Sequence, residues 1–158
     1  MTDQTTRSAI GLAPYTQSLA LALLRTRESV MSRFRPILRE HDVTEQQWRV
    51  LRTLAEVGEI EVTALAERIC LLPSSLSRIL KDLVARGLIQ RRSVVEDLRR
   101  GLVSIQPAGI ALILEVVPHS KRANAEIEEA FGVARIAALK TELNALSEAL
   151  NGPPIFED

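Results

Sequence analysis

A row of hydroxyls and cations runs through the middle of the chain: Ser74, Ser75, Ser77, Arg78 and Lys81. These types suit a polyanion, because hydroxyls bond phosphate oxygens or base edges and a guanidinium can make two parallel bonds to one pair of acceptors. Arg91, Arg92, Arg99 and Arg100 follow them. The whole chain carries 20 Lys and Arg against 20 Asp and Glu, a net charge of zero, but the charge is unevenly placed. Residues 68–100 hold eight bases and three acids, a local +5, while 101–158 come to −4 and 1–67 to −1. A basic patch in an otherwise acidic chain is a usable footprint for nucleic acid.

The elements that must present these groups can be read around them. Pro73 suits a first helical position, where its missing N–H costs nothing. Leu76, Ile79, Leu80, Leu83 and Val84 then recur as one apolar stripe, which puts Ser74, Ser77, Arg78 and Lys81 on the other side of the helix. Gly87 stops it. Leu88–Val95 and Leu102–Ile105 read as two β-rich runs around a charged tip, Glu96 to Gly101. Upstream, Thr44 and Gln47 form a capping box and Val43 with Trp48 a hydrophobic staple, starting a helix that carries Val50, Leu51, Leu54 and Ala55 and ends near Gly58. A short extended piece, Glu59–Val62, leads to Thr63, read as the cap of a helix with Leu65, Ala66 and Ile69. Cys70–Leu72 make the turn into the Pro73 helix. Helix, turn, helix and basic hairpin in this order are the layout of a winged helix-turn-helix. An ordinary α+β core with a solvated charged face would explain the helix alone equally well, but not the combination.

Long apolar helices flank this middle. Tyr15 to Glu40 is expected as one helix, kinked or ended at Pro36. Pro107 opens another, interrupted at Pro118 and resuming from Ile127 to Phe131. Gly132 separates a last helix with Ile136, Leu139, Leu143, Leu146 and Leu150. Helices of this kind without an obvious intramolecular partner suggest a twofold subunit interface. The expected fold is mostly α with a small β wing: a winged helix-turn-helix DNA-binding domain at 43–106 and a helical dimerisation region at 15–42 and 107–150. Residues 1–14 read as a flexible tail and 151–158 as a C-terminal tail.

A second constellation could bind a small molecule. Met31, Phe34 and Leu38 fall at i, i+3 and i+7 on one helix face, and Glu45, Trp48 and Arg52 do the same on the next helix. Together the two faces would form an apolar slot with a carboxylate and a guanidinium, suited to an aromatic ring bearing a hydroxyl or carboxylate. The plainer account makes Trp48 the staple and Met31 and Phe34 core residues.

Enzymatic function classes find little support. The only histidines, His41 and His119, lie far apart in sequence, and there is no P-loop, dinucleotide fingerprint or nucleophile elbow. No metal, no cofactor and no membrane span are expected. No basic start followed by an apolar block marks a signal peptide. The single cysteine allows no internal disulfide, which suits a reducing cytoplasm. Cys70 could serve a redox switch, but between Ile69 and Leu71 it reads more simply as a small buried hydrophobe. A winged helix used only for protein contacts is the remaining rival, and the wing arginines argue against it.

Residues 15–150 resemble the MarR family of bacterial winged-helix regulators. The resemblance rests on Asp97-Leu98-Arg99, then Leu102-Val103-Ser104-Ile105, then Gln106-Pro107-Ala108-Gly109. Ser75-Leu76-Ser77-Arg78-Ile79-Leu80-Lys81 with Leu83-Val84-Ala85-Arg86-Gly87-Leu88-Ile89 extends it. Met31 to Leu38 and Thr44 to Arg52 resemble one branch, the regulators of homoprotocatechuate, hydroxyphenylacetate and hydroxycinnamate catabolism. The resemblance implies a homodimer held by the first and last two helices. It also implies a repressor released from a palindromic DNA operator by a small aromatic acid of the hydroxyphenylacetate, homoprotocatechuate or hydroxycinnamate type, free or as a coenzyme A thioester. On that reading Arg78 meets a guanine edge, with Ser74, Ser75 and Ser77 on bases or phosphates and Lys81 on phosphate. Arg99 enters a minor groove, Asp97 orients the wing tip, and Arg91, Arg92 and Arg100 are either auxiliary phosphate contacts or merely solvated. The branch places its effector pocket at Met31, Phe34, Leu38, Glu45, Trp48 and Arg52, with Ser18 as a further contact.

Overall fold

The computed structural model describes residues 15–93 and 101–151. The expectations for Asp97, Arg99 and Arg100 lie outside the described residues, as do those for the two tails. By compactness the chain divides into Met1–Phe34 and Arg35–Asp158, and the first long helix runs from one unit into the other.

In the N-terminal unit a single 3-10 turn, Tyr15–Gln17, precedes helix α1, Leu19–Glu40. Ser18 caps that helix, its Oγ accepting from Leu21 N at 3.1 Å. Tyr15, Leu19, Leu23 and Leu24 are exposed. Pro36 does not end α1, contrary to one of the two outcomes expected for it; the helix continues to Glu40.

The larger unit holds α2 (Glu45–Val57), β1 (Glu59–Glu61), α3 (Val62–Arg68), α4 (Pro73–Ala85), β2 (Ile89–Ser93), β3 (Gly101–Ile105), α5 (Pro107–Phe131) and α6 (Val133–Asn151). The capping box at the start of α2 is present in both directions: Gln47 N donates to Thr44 Oγ1 at 3.2 Å and Thr44 N to Gln47 Oε1 at 2.8 Å. Thr63 is not the cap of α3. Glu61 occupies that position without a side-chain capping bond, because strand β1 runs directly into the helix. Those three residues form a third strand in an antiparallel sheet of order β1-β3-β2, with Ile60 opposite Val103 and Arg91 opposite Val103 on the other edge. Alternation of residues reveals half-buried strands, but it does not say which strand a three-residue piece will join.

Pro73 is the first residue of α4, as expected. Its end is a Schellman motif: Gly87 N donates to Val84 O and Leu88 N to Leu83 O, with Gly87 at φ +69°. Leu76, Leu80 and Leu83 of α4 sit in one core with Val50, Leu51 and Leu54 of α2, Leu65 and Ile69 of α3, Ile89 and Val103 of the sheet, and Ile113 of α5. Each such leucine contributes roughly 1.5–3 kcal/mol by leaving water, so α4 is anchored by its inner face while its outer face stays open.

Pro118 does not interrupt α5, which is one helix of 25 residues. Buried Ile113 and Val116 before it and Ala123 after it anchor both halves, so packing offsets the bond that proline removes. Gly132, at φ +100°, closes α5 by donating to Glu128 O. The two histidines, distant in sequence, meet here with ring centroids 5.9 Å apart. Leu114, Val133, Leu139, Leu143 and Leu150 stay exposed, and no residue of α6 with a described side chain is buried.

Candidate nucleic-acid interface

Ser74, Ser75, Ser77, Arg78 and Lys81 are all exposed on α4, opposite its buried leucines. The structure therefore brings the first group of sequence-predicted residues together on one helix face. That face borders an open groove of about 740 Å³ whose other wall is the first turn of α2, Thr44, Gln46 and Gln47. Among the described residues neither Arg78 nor Lys81 makes an ion pair. Asp82 does not engage Arg78: it accepts from Gln47 Nε2 at 2.6 Å and lies 3.8 Å from Arg86 Nη1.

Arg91 and Arg92 are both exposed on β2 but diverge, since neighbours on a strand face opposite ways. The Arg91 guanidinium lies over Gly101, where a Cβ would come within 2.9 Å of its Nε. Arg92 reaches across β3 to Glu59, donating from Nε to Oε2 at 2.9 Å and from Nη2 to Oε1 at 2.6 Å. This bidentate bond holds the Glu59 carboxyl below its ordinary range, with burial opposing the shift and the guanidinium charge adding to it. Arg92 thus ties β2 to β1. Spacing alone could not show it, because Glu59 lies beyond a turn, two helices and a loop.

Two further groups were not legible in the sequence. Arg49 on α2 donates from Nη1 to Ile69 O at 2.8 Å, holding the carbonyl at the end of α3 just before the turn. Its Nε is buried without a partner. Arg86 Nη1 bonds Asp42 O at 2.9 Å, linking the end of α4 to the residues before α2. The Cys70 expectation is overturned: the thiol is exposed, on backbone at φ +52°, because the tight α3–α4 turn directs it outward while Ile69 goes inward.

Of the second constellation, Met31 and Phe34 belong to the N-terminal unit and are half-buried. In the larger unit Leu38 is buried, Trp48 is half-buried against the core, and Arg52 is exposed. Glu45 is half-buried and accepts from Arg35 Nε. Ser18 spends its hydroxyl oxygen on the helix cap.

Residues 43–100 match the MarR family model. The homoprotocatechuate degradative operon repressor of Escherichia coli is 42% identical over 114 residues, 72% of each chain. The chain belongs to the MarR family. This MarR-family protein is also 36% identical over 137 residues to the HTH-type transcriptional regulator FarR of Neisseria gonorrhoeae, 85% of this chain and 94% of that one. Among solved structures, NadR in complex with 4-hydroxyphenylacetate is 34% identical with a TM-score of 0.75, over 87% of this chain and 97% of the other. Family and relatives are transcriptional regulators, so this MarR-family chain is a regulator and not an enzyme. Among its described residues no helix is long and apolar enough to cross a membrane.

Proposed function

We propose that the protein is a cytoplasmic homodimeric repressor that binds a palindromic operator through α4 and the wing and leaves it when a small aromatic acid binds. The observation that carries the DNA reading is the exposed row Ser74, Ser75, Ser77, Arg78 and Lys81 on a helix whose opposite side is fixed in the core. Arg78 reads a base edge and Lys81 a phosphate. Arg91, Arg99 and Arg100 add phosphate or minor-groove contacts, and Asp97 orients the tip. Arg92 acts in the same interface mainly by bracing the wing through Glu59.

The homodimer is supported by the exposed apolar side chains of α1, α5 and α6 in a single chain. It sets two recognition helices about 34 Å apart, one turn of duplex. For the effector, the relative named for homoprotocatechuate and the neighbour bound to 4-hydroxyphenylacetate favour a phenolic acid. Within the larger unit its candidate contacts are Leu38, Glu45, Trp48 and Arg52, the guanidinium of Arg52 being suited to the acid. The ligand must prefer the dimer geometry that does not fit the operator, since equal affinity for both releases nothing.

The test is direct. Duplexes selected from a random library should contain a palindrome, and their affinity should fall on adding 4-hydroxyphenylacetate, homoprotocatechuate, a hydroxycinnamate or the corresponding coenzyme A thioester. The sole tryptophan, Trp48, should report binding of the same compound. Unchanged fluorescence and unchanged DNA affinity with all of them would reject the pocket, and failure to select any duplex would reject the DNA reading. A second reading, oxidant sensing, rests on the exposed Cys70 at the helix-turn-helix turn. DNA binding indifferent to peroxide disposes of it.

A further inference from the structure

The helix that presents the DNA-contacting cations also carries a carboxylate that could disable one of them. Asp82 lies one turn beyond Arg78, at the i, i+4 spacing where helix ion pairs form. Paired there, it would compete with DNA for the guanidinium. It is instead engaged from across the groove, accepting from Gln47 Nε2 at 2.6 Å. Gln47 is itself positioned by the capping box, its Oε1 accepting from Thr44 N at 2.8 Å. One amide therefore starts α2 with its oxygen and holds Asp82 with its nitrogen. Arg86 lies near the same carboxylate oxygen, its Nη1 3.8 Å from Asp82 Oδ2.

We propose that Gln47 is a positioning residue for DNA recognition: by engaging Asp82 it leaves Arg78 available to the operator. The inference rests on the DNA-binding reading above. It assigns Gln47 a task beyond capping, and Gln47 acts through Asp82 and Arg78 rather than by touching DNA.

Gln47→Glu keeps the capping box, since glutamate serves at that position, but sets one carboxylate against another. Asp82 then turns to Arg78, and specific operator affinity falls about tenfold or more, the loss expected when a bidentate base contact is withdrawn. The double variant Q47E/D82N has the wild-type net charge and rebuilds the bond in reverse, the introduced asparagine amide donating to the introduced carboxylate, so affinity returns to near the wild-type value. Gln47→Ala, which adds no charge, shifts affinity the same way as Q47E, and the Q47E loss shrinks in an Arg78→Ala background. All variants are compared as full chains on the selected operator duplex, with thermal melting as a check on folding. Wild-type affinity in both Q47E and Q47A would overturn the proposal, as would a double variant that stays as weak as folded Q47E. Failure of the wild-type chain to bind any duplex would instead overturn the DNA-binding reading, and this inference with it.

Discussion

Arg78 is where the proposed function concentrates at the level of single side chains. It is exposed, it has no ion-pair partner among the described residues, and it sits on the outer face of an anchored helix. Arg78→Ala is expected to cost about 10–100-fold in specific operator affinity and to relax preference at one base position. Binding measured across a set of single-base operator variants checks both effects. Gly109 is critical for a different reason. A Cβ there would lie 2.3 Å from Leu88 O and 2.8 Å from Ile105 Cγ1, so the start of α5 would have to shift from the base of the wing. Gly109→Ala should therefore destabilise the fold by roughly 1–3 kcal/mol as an overpacked site, read as a lowered denaturant midpoint. The outward placement of Arg78 could be inferred from the pattern of its own helix. That of Gly109 could not, because its close neighbours come from two other segments.

Among the elements, α4 and the sheet depend on opposite kinds of support. α4 is held by leucines, and Leu80→Ala should cost about 2–5 kcal/mol in urea or thermal unfolding, since Leu80 is only 1% exposed. The sheet is tied across its three strands by the Arg92–Glu59 pair, which is mostly exposed. Glu59 ionises in the folded chain at lower pH than when unfolded, so the pair contributes fully above the unfolded glutamate range and is lost as pH falls through the folded value. Glu59→Gln should remove that acid-side component, leaving a shallower fall in melting temperature below the glutamate range. An acid limb identical to wild type would exclude the pair as a source of pH-dependent stability. The order of these elements was legible from caps, prolines and glycines. The joining of β1 to β3, and the continuity of α5 through Pro118, were not, because both depend on packing partners remote in sequence.

For the molecule as a whole, the exposed leucines are the surface that a lone chain leaves uncovered. Leu139 and Leu143 lie one turn apart on α6 and are 37% and 38% exposed. Replacing both with Asp should convert a dimer into a monomer by light scattering. It should also remove binding to the two-half-site duplex far more than to a single half-site. A wild-type monomer at micromolar concentration would contradict the twofold arrangement on which the proposed operator recognition depends.

Local chemistry alone determined much of this protein. A capping box, a proline at a first turn, a glycine in the left-handed region and an apolar stripe each act within a few residues, so they can be read without knowing what lies elsewhere. The open face of α4 emerged from the same logic, because the apolar stripe dictates which side remains outward. What only the tertiary structure decided are the pairings between distant groups: Arg92 with Glu59, Gln47 with Asp82, His41 with His119, and Cys70 outside rather than in the core. Those depend on how separate elements lie against one another, and a linear pattern of residues carries no measure of that distance.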